Sequence, residues 1–444
     1  LSPAQSNVWF HQMLDPSSPA YNLCFYAWFE GELDANRLEK AINLTVAHFA
    51  SLRTRFHLVD SEVFQYIAPA VDHVLEKFDV NQGTTSLESA QKIAKVIEDF
   101  AARPFDLEQG PIARFGLIKP SATQNLFTIV VHHLCIDGGA IKPLIQAIAA
   151  GYNHGALDGV KKDSWIDSLL EIFEYQSSEK FNADNKYWAQ KLKSVEEAVS
   201  INLQETQESS LVIPSKVMAT LPIANFSQIY QLGIELGGIG LSAFAAVLFA
   251  YLHRLTGKTE VCILTPLAGR NKNNRNVVGM FANPIPLAIE MTSKETLGDL
   301  IRLAGESLRD GIEHGSFPFR HIANDRLKLG QSSLDGMLIN LLILDIEVDF
   351  DGISAEFKNL RSGPVSDLSL VLQAGNNTTD FKITLEYNPS RYAKAQAQAH
   401  LKNFIHLFNH LDSHIDVNVR DLSLQSIDDE NAILKASAGA RINT

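Results

Sequence analysis

The sequence predicts a mixed α/β protein built from two lobes. Its 444 residues exceed the size at which a single hydrophobic core stops growing, so two cores are the default expectation. Strand-like and helix-like patterns alternate along the first half, as they do in α/β folds. After a polar passage over about residues 155–215, the alternation starts again. We therefore expect an N-terminal lobe over residues 1–170 and a C-terminal lobe over residues 171–430.

The elements of the first half follow from residue periodicity. An aromatic-rich stretch over residues 23–30 predicts a strand. Asp34 is placed to cap a helix whose apolar residues recur at the spacing of one helical face. The further predicted elements are strands over residues 53–59, 63–67, 112–118 and 126–133, and helices over residues 87–102 and 140–152.

The second half repeats the pattern around one buried helix. Residues 241–255 are apolar on nearly all sides, which is typical of a helix enclosed in a core, and Gly257 is its stop signal. The polar passage itself predicts two helices. The remaining predictions are helices over residues 165–175 and 182–193, and strands over residues 261–265, 339–348 and 368–372.

The composition is that of an ordinary globular protein and argues against several classes. With 45% hydrophobic and 20% charged residues it falls in the globular range, and its net charge of −13 argues against nucleic-acid binding. The longest apolar run, residues 239–252, is too short to span a membrane. Three cysteines and an N-terminus without a basic signal region favour a cytoplasmic protein. Leu1 in place of Met predicts a piece of a longer chain.

The strongest local signal is VVHHLCIDG at residues 130–138, where a predicted strand meets a predicted helix. Strand side chains alternate between faces, so His132 and His133 point in opposite directions and cannot easily share a metal ion. We therefore predict no metal site. A neutral imidazole at the end of a strand is a natural acid–base group. From the residues alone, the alternative stays open that both histidines are satisfied in a core and that Asp137 caps the helix.

Motifs along almost the whole chain resemble those of one family. HHLCIDG resembles the HHxxxDG signature of condensation domains in nonribosomal peptide synthetases, which the wider chloramphenicol-acetyltransferase-like superfamily shares. Other family motifs occur in the same order, and together they separate the family from its superfamily. They are LSPAQSNVWF at residues 1–10, SLRTRF at 51–56, RPFDL at 103–107, GMFAN at 279–283 and HGSFPF at 314–319.

The resemblance implies both an architecture and a reaction. Two chloramphenicol-acetyltransferase-like lobes would form a V-shaped pseudo-dimer with the active site at their interface. The domain would join a carrier-bound acyl thioester to a carrier-bound aminoacyl group in an amide bond. It would need no cofactor of its own, because 4'-phosphopantetheine arms of an upstream donor carrier and a downstream acceptor carrier present the substrates. An adenylation domain would follow after a linker that begins at residues 431–444, and the excised domain would be monomeric.

The resemblance also assigns roles to individual residues. His133 is the catalytic candidate, either as a general base or as a group that positions the amine and stabilises charge. His132 and Asp137 would support the motif, with Arg53 as the ionic partner of Asp137, and Gly138 would allow close approach of the substrate. The expected tunnel residues are Gly139, Asn283, Ser366 and Asp367. The last three are nearly as typical of ordinary loops and turns, so that alternative stays open.

Departures from the family pattern bear on the donor and leave other functions to consider. Pro284 stands where Thr is usual, Ala288 lies near the usual Arg, and residues 362–368 resemble the enterobactin-synthase type of condensation domain. We therefore expect a small acyl or aryl donor, as in siderophore assembly. One alternative is a free-standing acyltransferase that uses an acyl-CoA. The other is a non-catalytic carrier-binding module, against which the intact His133 and Asp137 argue.

Overall fold

The protein has the mixed α/β character that its sequence predicts. The computed structural model describes residues 1–60, 62–80, 86–121, 123–202, 212–292, 294–343, 346–375 and 379–425. Its helices are α1 Pro3–Leu14, α2 Ala35–His48, α3 Ser86–Ala102, α4 Ile141–His154, α5 Trp165–Gln176, α6 Glu179–Lys191, α7 Ile223–Glu235, α8 Leu241–Thr256, α9 Leu297–Glu313, α10 Phe319–Lys328 and α11 Lys394–Asn409. The predicted linker at residues 431–444 lies outside the described residues.

The strands form two six-stranded sheets and one hairpin. They are β1 Asn22–Glu30, β2 Thr54–Val59, β3 Glu62–Ile67, β4 Leu75–Asp79, β5 Ala113–Lys119, β6 Gln124–His132, β7 Ser215–Pro222, β8 Glu260–Leu267, β9 Asn283–Glu290, β10 Leu338–Ile343, β11 Glu347–Phe350, β12 Ile353–Arg361, β13 Leu368–Ala374 and β14 Asp380–Tyr387. Their orders are β11-β12-β1-β6-β5-β4, β7-β14-β13-β10-β8-β9, and the hairpin β2-β3. Among the described residues, no helix combines the length and the apolar character that a membrane crossing requires.

The chain divides into two compact units, each containing one of the large sheets. The first unit comprises Leu1–Ala183, Ala268–Asn283 and Asp345–Pro364, and the second comprises the rest of the chain. Two segments from the second half of the sequence therefore belong to the first unit. Periodicity along the chain predicts two continuous lobes divided at residue 170 and does not anticipate these segments, because contacts distant in sequence leave no local pattern.

The sheet of the first unit is built around β1 and β6. β1 pairs antiparallel with β6 over its whole length, from Asn22 opposite His132 to Glu30 opposite Gln124. On its other side β1 pairs antiparallel with β12, the strand supplied by the second half of the chain. All of β6 except its first residue is buried. This continuous pairing fixes the position at which β6 ends and the HHxxxDG loop begins.

The sheet of the second unit carries helices on one face. The Phe381 ring on β14 contacts the rings of Phe226 on α7 and Phe244 on α8, with centroids 5.2 and 6.1 Å apart. Because strand residues alternate between faces, the odd-numbered residues of β14 face these helices. Residues 242–252 of α8 are all buried, and the helix ends at Gly257 with φ 70°, as the sequence predicts.

Two features depart from the predicted elements. Residues 339–348 were expected to form one strand, and this prediction is wrong: β10 and β11 share that stretch and belong to different sheets. β10 reads LINLLI and β11 reads EVDF, and the sequence between them contains no glycine or proline that would mark the break. Periodicity also does not predict α1, whose start is a capping box in which Ser2 Oγ accepts from Gln5 N (3.2 Å) and Gln5 Oε1 accepts from Ser2 N (3.0 Å).

Candidate active site

His132 has partners on both ring nitrogens. Its Nε2 lies 3.0 Å from Gln12 Oε1, and its Nδ1 lies 3.2 Å from the backbone N–H of Leu134. The Gln12 amide donates elsewhere, so its oxygen accepts and His132 Nε2 carries the hydrogen, while Nδ1 accepts from Leu134. Burial, aided by the electrostatic effect of the neighbouring Arg114 and of His133 when it is protonated, lowers the pKa of His132 to about 3. His132 is therefore a neutral, fully bonded core residue, as the strand alternation predicts.

His133, on the opposite side of the strand end, has one free nitrogen. Its Nδ1 lies 2.8 Å from the carbonyl oxygen of Ile136, which can only accept, so Nδ1 carries the hydrogen and Nε2 keeps its lone pair. No hydrogen bond from the described residues reaches Nε2. A Cβ at Gly363, whose φ of 123° favours glycine, would lie 3.7 Å from His133 Cδ2. The segment from the second half of the chain thus borders the ring.

Burial keeps His133 in the neutral state. It holds the pKa of the imidazole below its ordinary value of 6.5, and the Asp137 carboxylate opposes this shift without reversing it. A neutral imidazole with an unprotonated Nε2 can accept a proton at neutral pH, which an imidazolium cannot do. The site therefore offers one base on an oriented ring.

Asp137 is fully engaged by protein donors. Its Oδ1 accepts from Arg270 Nη2 at 2.6 Å and from Ala140 N at 3.0 Å. Its Oδ2 accepts from Phe281 N at 2.8 Å and from Ala282 N at 3.0 Å. Asp137 is 1% exposed, so a substrate has no free carboxylate oxygen to contact. The carboxylate ties the HHxxxDG loop to residues 268–283.

The expected pairing of Asp137 with Arg53 is wrong. Arg53 donates instead to two backbone carbonyls, from Nε to Val46 at 3.2 Å and from Nη1 to Ala68 at 2.6 Å. It thereby joins the end of α2 to the end of the β2–β3 hairpin. The SLRTRF motif follows α2 directly, and the guanidinium satisfies carbonyls at that corner, so its contribution is to the fold around the motif.

Arg270 forms the ion pair with Asp137 that was expected of Arg53. Besides Asp137, it donates to the carbonyls of Asn274 (3.1 Å), Val277 (2.7 Å) and Gly279 (3.1 Å), and it lies 4.6 Å from the centroid of the Phe281 ring. The side chain is 7% exposed. Sequence reasoning missed Arg270. The only signal is one basic residue in a polar, aperiodic loop before GMFAN, and a loop alone does not identify the partner of a residue far away in the sequence.

Comparison with known proteins identifies the family. The family model of the condensation domain matches residues 1–434. The chain belongs to the condensation domain family. Condensation domains catalyse amide-bond formation, an acyl transfer. The family prediction made from the motifs is thus confirmed.

Curated relatives of the domain are large synthetases. It is 26% identical over 430 residues to a dimodular nonribosomal peptide synthase of Bacillus subtilis (strain 168), covering 96% of this chain and 18% of the relative. It is 26% identical over 411 residues to an isonitrile lipopeptide synthase of Streptomyces coeruleorubidus, covering 90% of this chain and 27% of the relative. The domain therefore spans about a fifth to a quarter of these two relatives.

Solved structures share its fold. A variant of the starter condensation domain of rhizomide synthetase, in complex with C8-CoA, matches with a TM-score of 0.85 and 25% identity, covering 95% of this chain and 96% of that one. The first condensation domain of the calcium-dependent antibiotic synthetase matches with a TM-score of 0.82 and 22% identity, covering 96% and 98%. The chloramphenicol-acetyltransferase-like fold predicted for the chain is confirmed.

The two glycines of the motif occupy different surroundings. Both are exposed, and a Cβ at Gly138 would meet no atom within 4 Å, so the space above it is open. A Cβ at Gly139 would overlap the Arg270 guanidinium. Gly139 therefore leaves the space that the Arg270 side chain occupies.

The other predicted tunnel residues lie at strand ends. Asn283 opens β9 and is half-buried. Ser366 Oγ donates to the carbonyl of Asp335 at 3.2 Å. Asp367 is 1% exposed, and its Oδ1 accepts from Tyr392 Oη at 2.8 Å and from Ser200 Oγ at 3.2 Å. These contacts are those of residues that join segments of the second unit, and their place in a substrate tunnel stays a prediction.

Proposed function

We propose that the domain forms an amide bond between a carrier-bound acyl thioester and a carrier-bound aminoacyl acceptor, with His133 as the catalytic group. The observation that carries this proposal is the Nε2 atom of His133: it is unprotonated, free of protein partners among the described residues, and held by the bond from Nδ1 to Ile136. Membership of the condensation domain family supports the reaction class.

In the proposed reaction, one base, His133, handles the proton in two steps. The acceptor amine attacks the thioester carbon, a C–N bond forms, and Nε2 of His133 takes the proton from the nitrogen. The C–S bond then breaks, and the proton leaves with the carrier's thiol. Holding two tethered substrates in attack geometry supplies much of the remaining acceleration. Asp137 has no free oxygen for either step and supports the loop instead.

The partners follow from the reaction. Upstream and downstream carrier proteins would present the donor and the acceptor on 4'-phosphopantetheine arms, and an adenylation domain would stand in the same polypeptide. The multidomain synthetases among the relatives support this arrangement. Three buried cysteines without disulfides fit a cytoplasmic location. The domain would need no metal and no cofactor of its own.

A specific observation favours a second donor chemistry. The rhizomide starter domain, 25% identical to this chain, was solved with C8-CoA bound. An acyl-CoA donor is therefore a second candidate beside a carrier-bound acyl or aryl thioester. In both cases the donor would be small, as Pro284 and Ala288 also suggest: proline has no backbone N–H to donate, and alanine lacks a guanidinium.

Intact-protein mass spectrometry of the acceptor carrier tests the proposal. The aminoacyl carrier is incubated with the domain and with either an acyl-loaded donor carrier or octanoyl-CoA. We expect the mass of the acyl group to be added to the acceptor carrier, and the addition to vanish with His133→Ala. His154→Ala, the same change at an exposed histidine that ends α4, is the control and should keep activity. No product with either donor would refute the proposal.

A further inference from the structure

Arg55 is a buried cation without an ionic partner in the described part of the chain. It lies on β2 in the first unit and is 4% exposed. No carboxylate of the described residues forms an ion pair with its guanidinium. Arginine is almost never enclosed in a protein unless it is paired, and it cannot lose its proton to avoid the cost of burial. The guanidinium is therefore a positive charge that its own unit leaves uncompensated.

The hydrogen bonds of Arg55 leave part of its guanidinium open. Nε donates to the carbonyl oxygen of Gln109 at 3.0 Å, and Nη1 donates to that of Thr54 at 3.0 Å. Nη2 donates to none of the described residues. It is also absent from the fully enclosed atoms that lack a partner, so it keeps some accessible surface. Both N–H groups of Nη2 are therefore available to a ligand.

Arg326, in the second unit, shows how this protein satisfies a buried arginine that has no ion pair among the described residues. It is also 4% exposed. Its Nε donates to the carbonyl of Ser332 at 3.2 Å, Nη1 to that of Leu192 at 3.3 Å and Nη2 to that of Glu196 at 2.9 Å. Every nitrogen of Arg326 thus has a protein acceptor. Arg55 is buried to the same extent and lacks the third acceptor.

The side chains around Arg55 are neutral or already engaged. The Asp106 carboxylate accepts from two backbone N–H groups of its own turn, at 3.0 and 2.8 Å, and lies beyond ion-pair distance of Arg55. Cys135 is 1% exposed, and burial raises the pKa of its thiol, so the sulfur is uncharged at neutral pH. Tyr66 lies opposite Arg55 in the β2–β3 hairpin and is 46% exposed. Its hydroxyl forms no hydrogen bond with the described residues.

The backbone at Gly110 fixes the guanidinium in place. Gly110 has a φ of 71°, which favours glycine, and a Cβ there would overlap the guanidinium of Arg55. Together with the bond from Nε to Gln109, this close approach holds the planar group in one orientation. A ligand therefore meets a donor that is already ordered, which lowers the entropic cost of binding.

We propose that Arg55 binds a small oxyanion, a phosphate or a carboxylate, through its free N–H groups. Guanidinium donors match the oxygens of both groups, and hydrogen bonds between charged partners are among the strong ones. The anion would compensate the buried charge and recover part of its desolvation cost. Tyr66, on the same face of the hairpin, can donate its hydroxyl to the same anion. Such a site goes beyond the proposed function and does not depend on it.

Isothermal titration of the 444-residue domain with inorganic phosphate and, separately, with acetate tests this at pH 7.5 and constant ionic strength. We expect a dissociation constant of about 1 mM or less for the tighter probe, which identifies the source as a phosphate or a carboxylate. Arg55→Gln should weaken its binding by about tenfold or more, the effect of losing one hydrogen bond between charged groups. Arg275→Gln, at an exposed arginine of the same unit, removes the same charge and should leave binding unchanged.

Two results would overturn the site: no saturable binding of either probe to the wild type, or equal binding to the wild type and Arg55→Gln. If Arg55→Gln does not fold, hydrogen exchange in the wild type decides. The amide of Gly110 donates to Asp106 in the turn against the guanidinium, and its exchange should slow by about threefold or more in the tighter probe relative to chloride. The amide of Gly257, at the end of α8, should not change. Unchanged exchange at Gly110 would equally refute the site.

Discussion

The adjacent imidazoles of His132 and His133 differ in the hydrogen-bond partners of their Nε2 atoms. Gln12 and the Leu134 amide occupy both nitrogens of His132, whereas the described residues leave Nε2 of His133 open. Alternation along β6 predicts that the two side chains point apart. It does not predict the tautomers, because these depend on Gln12 and Ile136, one distant in sequence and one in the following loop.

Replacement of His133 by Ala should lower single-turnover amide formation by about 10²–10⁴-fold, the usual contribution of a positioned acid–base group. The thermal melt should stay close to that of the wild type, because within the described part of the chain the ring makes one hydrogen bond. Rapid-quench assays and calorimetry measure the two quantities. A variant that keeps nearly its full rate would remove His133 from the centre of the mechanism.

The reaction should depend on pH through His133. Its pKa is lowered from 6.5, so the neutral ring is fully present above that value and is lost only as the pH falls below it. Between pH 7.5 and 6.5, we expect the titration of His133 to leave the rate of the isolated amide-forming step unchanged. Below pH 6.5 we expect this rate to fall. If the rate already begins to fall above pH 7 as the pH is lowered, a group other than His133 is responsible.

His132 should make the domain sensitive to acid. Its pKa is about 3 in the folded state and about 6.5 when unfolded, so the unfolded chain binds the extra proton. Its contribution to stability is complete above pH 6.5 and declines as the pH falls toward 3, by at most about 1.4 kcal/mol per pH unit. Urea unfolding between pH 4 and 7.5 should show a smaller slope for His132→Gln than for the wild type. Equal slopes would contradict the assignment.

At the scale of elements, the HHxxxDG loop and residues 268–283 are held together by Asp137 and Arg270. Sequence reasoning predicted the strand, the loop and α4, since each has a local signal in its periodicity or its cap. It assigned the buried ion pair to Arg53, because a resemblance between motifs transfers residue types more reliably than contacts between distant segments. The identity of the partner depends on where a polar loop returns to the sheet, and no periodicity encodes that.

Asp137→Ala should cost about 3–5 kcal/mol of unfolding free energy, because it leaves the Arg270 guanidinium buried without its partner. Arg53→Ala should cost less, since it removes hydrogen bonds to two carbonyls and breaks no ion pair. Urea denaturation compares the two variants. The reverse order would mean that the pairing with Arg270 contributes little.

Arg270→Met should loosen residues 268–283 locally. The amides of Phe281 and Ala282 donate to Asp137, so their hydrogen exchange reports on the joint between the segment and the loop. We expect exchange at these amides to speed up by about tenfold or more, whereas Arg275→Met, at an exposed arginine of the same segment, should leave it unchanged. Unchanged exchange in both variants would show that Arg270 is not needed to hold the segment.

At the scale of the whole molecule, the domain should work without a metal ion. The described residues contain no cluster of potential ligands, and the two histidines of the motif point in opposite directions. Exhaustive chelation followed by the amide-formation assay should leave the rate unchanged. Loss of activity that returns on adding a divalent cation would overturn this expectation and the mechanism with it.

The order of strands in the first sheet has a consequence for synthesis on the ribosome. β1 ends at Glu30, yet its partner β12 begins at Ile353, so translation of the intervening residues, on the order of tens of seconds, leaves one edge of β1 unpaired. An open edge of apolar sequence can pair with another chain. Nascent chains that stop before residue 364 should therefore depend on chaperones and form aggregates. A gene truncated after residue 170 should not yield a soluble, folded first half.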